Sequence, residues 1–125
     1  EHFFSILGKT VILEKEDMID IVTAISGSGP AYIFNFAEII IAVGKDLGLS
    51  EEISKKIFLQ TIVGAGLLAI DSDKSPSKLR EDVTSPNGTT QAALNILMDK
   101  QNGWHEIIRN AVTAAYERSK SLAKN

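Results

Sequence analysis

Two stretches, residues 30–47 and 50–70, are apolar nearly all the way round at helical spacing. No other feature of the chain constrains its fold as strongly. A helix packed on one side shows an apolar stripe, whereas one that is apolar all round must be covered on all sides. The chain has 125 residues, and a domain of that size has too much surface to hide two such helices inside itself. Gly64 and Gly66, in "VGAGLLA", lower helix propensity by roughly 1 kcal/mol each against alanine. Close approach of another backbone accounts for them. The expected fold class is therefore all-α: a helical bundle with two long buried helices forming an interlocked dimer.

The flanking segments complete this reading. "EHFFSILG" carries a short helical pattern through Phe3, Phe4, Ile6 and Leu7, stopped by Gly8. "TVILE" follows as a β-branched strand. A helix, a glycine and a strand are how the last unit of an α/β domain reads. From Lys15 onward the pattern is helical. The spacing predicts a short helix over Asp17–Ile25, interrupted by "SGSGP". Pro30 suits the first turn of the first long helix, and Gly48 its C-cap. Ser50 caps the second, with Glu51 and Glu52 in its first turn. A short helix is expected over Ser77–Val83, another from Thr89 to about Lys100, and a last one from Trp104 to about Leu122.

Composition excludes several classes. The net charge is −3 and there is no basic stripe to neutralise phosphates, so nucleic acid is not an expected partner. The chain has no cysteine, which removes disulfides and thiolate chemistry and suits a cytoplasmic protein. The run "IFNFAEIIIAV" contains Asn35 and Glu38 and falls short of the roughly 20 apolar residues of a membrane span. No membrane partner is expected. No metal-ligand spacing and no nucleophile–base pair occurs. His2 and His105 read as surface or packing residues, Trp104 as the anchor of the last helix, and "ERSK" at Glu117–Lys120 as a solvated face.

One polar stretch stands out, "DVTSPNGTTQAAL" from Asp82 to Leu94. Pro86 fixes φ, and Asn87-Gly88 makes a tight turn with φ above zero. The first N–H groups of the helix that follows have no intrahelical partner, and with the helix dipole they attract an anion. Ser85, Thr89 and Thr90 add hydroxyls, and no acidic side chain occupies the first turn. The stretch reads either as a receptor for a small carboxylate or phosphate, or as an ordinary cap joining two helices. "SGSGP" lacks the spacing of a dinucleotide fingerprint. It reads as a glycine loop letting two backbones approach, with Ser26, Gly27 and Ser28 as a site-lining loop in the alternative.

"TAISGSGPAY" (Thr23–Tyr32), "DVTSPNGTT" (Asp82–Thr90) and "ERSKSL" (Glu117–Leu122), in this order and separation, resemble the C-terminal half of the pyrroline-5-carboxylate reductases. The resemblance covers Lys15–Lys124, and the segment before it resembles the helix-strand end of that family's Rossmann domain. It implies two parts: residues 1–15 closing an N-terminal nucleotide-binding domain, and residues 16–125 forming a helical dimerisation and substrate-binding domain. It also implies NADPH or NADH as cofactor, bound mainly by the N-terminal domain, and an interlocked homodimer, five of which assemble in some members. The implied reaction is hydride transfer to the C=N carbon of a cyclic imine, giving L-proline. By the same resemblance Ser85, Asn87, Gly88, Thr89 and Thr90 bind the carboxylate-bearing substrate. Thr90 reaches its ring nitrogen as the catalytic residue.

This chain departs from the family in two places. The family's first loop glycine is Asn87 here, and its His-Pro is Ser75-Pro76. The chain also holds no G-x-G-x-x-G, so it is expected to be inactive alone. Two rivals are a non-catalytic helical oligomerisation module and a related imine reductase domain.

Overall fold

The computed structural model describes residues 10–123, which fall into two compact units. One joins the chain up to Gly29 with the chain from Asn110 onward, and the other is Pro30–Arg109. The helix expected over Phe3–Leu7 lies outside the described residues. The strand expected at Thr10–Glu14 does not form: residues 10–13 have no regular hydrogen bonding, and no strand occurs among the described residues. A β-branched run is stable as a strand only when a neighbouring strand pairs its N–H and C=O groups.

In the first unit, α1 covers Met18–Val22 and runs directly into a π-helical turn at Thr23–Gly27. The Ser28 N–H closes that turn on the Thr23 carbonyl at 2.9 Å. The sequence pattern placed a glycine loop here. Instead Ser28, at φ −85° and ψ −16°, keeps the backbone helical, and one wider turn absorbs the interruption. Ala24, 1% exposed, is buried within the turn. The C-terminal part of α6, which covers Trp104–Leu122, completes this unit. Its "ERSK" stretch is not simply solvated. The Ser119 hydroxyl is half-buried and donates to Asp20 Oδ1 at 2.6 Å, and Lys120 Nζ lies 4.8 Å from the centre of the Tyr116 ring.

The second unit holds the two long helices, α2 at Gly29–Asp46 and α3 at Glu51–Asp71. Gly48 takes φ +103°, a left-handed conformation that favours glycine and lets the chain reverse after α2. The Ser50 hydroxyl accepts from the Ile53 N–H at 3.2 Å, and Lys45 pairs with Glu51 at 2.6 Å across the turn. Where the two helices approach, a Cβ on Gly44 would come within 2.6 Å of Ser54 Oγ. Phe36 of α2 meets Phe58 of α3 edge-on at 5.1 Å and Trp104 edge-on at 4.8 Å. Trp104 thus anchors the start of α6, as expected.

The long helices are not buried within the chain, contrary to the sequence expectation. Ala37 is the buried residue of α2 and Ser54 that of α3. Ile57, Val63, Leu67, Leu68 and Ile70 all stand more than half exposed on α3. Apolar periodicity identifies surface that must be covered, but not whether the cover comes from the same chain. By length and composition alone α3 could also cross a membrane.

Two shorter helices follow. In α4, Pro76–Asp82, Ser75 accepts from the Lys78 N–H at 3.2 Å and Pro76 opens the first turn. α5 covers Thr89–Leu97, three residues less than its apolar pattern suggested. The Asp99 carboxylate takes the N–H groups of Gln101 and Asn102 at 3.0 and 2.7 Å, so the chain turns before Lys100 can extend the helix.

Candidate functional site

The loop between α4 and α5 is built from both ends. At the α4 end, Asp82 pairs with Lys74 at 2.6 Å and Lys78 at 2.9 Å. The hydrogen bonds from Lys74 and Lys78 hold its carboxyl below the usual range. The Thr84 hydroxyl turns back to donate to the Arg80 carbonyl at 2.6 Å. Ser85-Pro86-Asn87-Gly88 then forms a turn, with the Gly88 N–H on the Ser85 carbonyl at 3.1 Å. Proline at the second position and a left-handed residue at the third are the requirements of a type II turn.

The left-handed residue is Asn87, at φ 58°, and Gly88 is extended at φ −83°, ψ 175°. The pattern Asn-Gly pointed to positive φ in this dipeptide, and the structure places it on the asparagine. Gly88 is needed for space instead: a Cβ there would sit 3.2 Å from the Ser85 carbonyl oxygen and 3.3 Å from Ser85 Cβ. Such contacts require the turn to give by a few tenths of an ångström.

Gly88 is the N-cap of α5 and supplies no side chain. The first intrahelical bond is Ala92 N–H to the Gly88 carbonyl, at 3.1 Å. The N–H groups of Thr89, Thr90 and Gln91 have no acceptor among the described residues, and the first turn contains no acidic residue. Ser85, Asn87, Thr89 and Thr90 are exposed and Gly88 half-exposed. The turn therefore collects three free N–H donors and the hydroxyls of Ser85, Thr89 and Thr90 at the positive end of a helix dipole, a arrangement suited to an anion.

A groove of about 210 Å³ beside this loop is lined by Arg80, Glu81, Thr84, Gln91, Leu94 and Met98. None of Ser85–Thr90 lines it, so the anion-receptive turn is an open surface in this chain. Ser26 and Gly27 are exposed and Ser28 half-exposed. They belong to the first unit, while the α4–α5 loop belongs to the second. Sequence reasoning missed Asp20 and the bond to it from Ser119. Ninety-nine residues separate the pair, and no periodicity links positions so far apart. At His105, Nδ1 lies 3.2 Å from Glu106 and Nε2 lies 3.3 Å from Arg109, in an exposed surface cluster. Among the described residues no cluster of three or more histidines and acidic residues could hold a metal ion.

Fold and loop together define a class: an all-α domain with uncovered apolar helices and an anion-receptive helix start. The family follows from comparison with known proteins. Residues 16–122 match the model for pyrroline-5-carboxylate reductase dimerisation, and the chain belongs to that family. It is 43% identical to the pyrroline-5-carboxylate reductase of Pseudomonas aeruginosa over 98% of its length and 44% of that protein. It is 37% identical to pyrroline-5-carboxylate reductase 1 of Bacillus subtilis, over its whole length and 41% of that protein. The solved pyrroline-5-carboxylate reductase of Coxiella burnetii superposes with a TM-score of 0.91 at 37% identity, covering 98% of this chain and 44% of that one. The Plasmodium falciparum enzyme, solved with NADP bound, gives 0.79 at 42% identity, covering 86% of this chain and 42% of that one. The chain thus spans less than half the length of these relatives.

Proposed function

We propose that this chain is the dimerising and substrate-binding part of a pyrroline-5-carboxylate reductase, which reduces 1-pyrroline-5-carboxylate to L-proline with NADPH or NADH in the cytoplasm. The observation that carries the reading is the start of α5, where three free N–H groups and the Thr90 hydroxyl share one exposed turn. The N–H groups of Thr89, Thr90 and Gln91 hold the substrate carboxylate, with Ser85 and Asn87 beside it. The Thr90 hydroxyl meets the ring nitrogen. This chemistry needs no protein nucleophile, because fixing the imine carbon in position supplies much of the rate.

The nicotinamide dinucleotide supplies the hydride when bound. The described residues do not fit its pyrophosphate: they contain no strand leading through a glycine-rich turn into a helix. Its site therefore lies mainly in the remainder of the reductase, with Ser26, Gly27 and Ser28 lining the edge of the reaction site.

The uncovered faces of α2 and α3 receive a second copy of the chain, and assembly of dimers into a decamer is compatible with the same surface. A second copy explains the apolarity of α3 better than lipid does. Glu51, Glu52, Lys55 and Lys56 charge its first two turns, and the matched family is one of dimerisation domains.

The test is steady-state kinetics of the full-length reductase carrying Thr90→Ala. A lost hydrogen bond to a charged partner is worth about 1.5–3 kcal/mol, so kcat/KM should fall about 10- to 100-fold. Full activity in this variant would reduce the turn to a helix cap and overturn the site.

A further inference from the structure

We infer that Ser119 and Asp20 are positioning residues: their hydrogen bond fixes the π-helical turn Thr23–Gly27 and so places Ser26–Ser28. The inference rests on the proposed reductase function, because it assigns a task to that site's second loop.

The argument begins with α1. Five residues are far below the roughly 12–15 that an isolated helix needs to persist in water. Its N-cap, Asp17, makes no side-chain capping bond. Its apolar side chains, Met18, Ile19, Ile21 and Val22, are all more than a third exposed. Neither local propensity nor packing within this unit holds α1 firmly in place. The 2.6 Å bond from the Ser119 hydroxyl to Asp20 Oδ1 does so. A hydroxyl donating to a carboxylate at that length is a charge-assisted bond, and both partners are half-buried, where competing water is reduced.

Asp20 lies three residues before the π-helical turn, on the helix that leads straight into it. The wide turn is closed by the single Ser28 N–H to Thr23 carbonyl bond at 2.9 Å and inwardly by the buried Ala24. A π-turn has fewer supporting bonds than a regular helix, and such turns recur at functional sites. A shift of α1 on α6 therefore passes directly into Ser26, Gly27 and Ser28. This also gives the "ERSKSL" stretch a task other than solvation.

The experiment uses the full-length reductase with three variants, Ser119→Ala, Ser119→Thr and Asp20→Asn. Misplacement of a group by about 1 Å can lower activity up to roughly 100-fold. Ser119→Ala should raise KM for the nicotinamide cofactor or lower kcat by about 10-fold, with KM for the imine nearly unchanged. Ser119→Thr keeps the hydroxyl and should recover most of the loss, and Asp20→Asn, still an acceptor but uncharged, should fall between. Wild-type constants in Ser119→Ala would overturn the inference. So would equal losses for both substrates that threonine does not rescue. If Ser119→Ala fails to fold, Asp20→Asn decides the matter by the same split between cofactor and imine. Failure of the proposed function itself is recognised separately, by an absence of imine reduction or by full activity in Thr90→Ala.

Discussion

Asn87 has a conformation that few residues accept. At φ 58° a side chain with a Cβ is strained, by roughly 1–2 kcal/mol for an ordinary residue, and asparagine is among the residues that tolerate it best. Asn87→Ala should therefore destabilise the fold by about 1 kcal/mol, while Asn87→Gly should cost little or slightly stabilise. Urea unfolding of both variants gives the comparison. Equal stability for the two would mean that the turn does not hold a left-handed residue. The neighbouring Gly88 is limited differently, by the Ser85 carbonyl and Cβ that crowd its α-carbon. Sequence inspection located this turn correctly and misjudged which of its two residues takes positive φ. Asn-Gly is compatible with several turns, and the Pro86 that precedes it, together with the Ser85–Gly88 hydrogen bond, selects the type.

At the scale of elements, α3 presents a conflict between local propensity and assembly. A Cβ on Gly64 or Gly66 meets nothing within 4 Å in this chain. For a free helix, alanine at both positions would therefore add roughly 1 kcal/mol of helix propensity each. If the glycines admit the backbone of a second copy, the same methyls collide across the interface, and overpacking of that kind costs about 1–3 kcal/mol. The double variant Gly64→Ala/Gly66→Ala should weaken dimerisation about 10-fold or more in analytical ultracentrifugation. Tighter association would show that no backbone approaches there. Gly44 makes the corresponding contact inside the chain, where Ser54 occupies the space a Cβ would need. The starts of α3 and α4, the reversal at Gly48 and the extent of α6 were all legible in the sequence, because caps and left-handed glycines act within a few residues. The π-helical turn was not. Ser and Gly residues permit a loop and a widened helix alike, and only the surroundings of α1 choose between them.

For the whole molecule, the exposure of α2 and α3 ties stability to concentration. A fold completed by a second copy is stabilised by mass action. The thermal midpoint of the purified chain should rise by several degrees across a 100-fold increase in protein concentration, followed by circular dichroism. A midpoint independent of concentration would mean that the chain is a self-sufficient monomer. What the sequence determined alone is the helical period, the element boundaries set by Ser50, Ser75, Pro76 and Gly48, the demand for apolar cover on two helices, and the polar turn that opens α5. These follow from contacts within one or two turns of chain, which residue order specifies directly. Tertiary structure decided that α2 and α3 remain uncovered within one chain, that residues 10–13 form no strand without a partner, and that Ser119 reaches Asp20 across 99 positions. Each depends on which distant or separate surfaces meet, and residue order constrains that only through the free energy of the assembled fold.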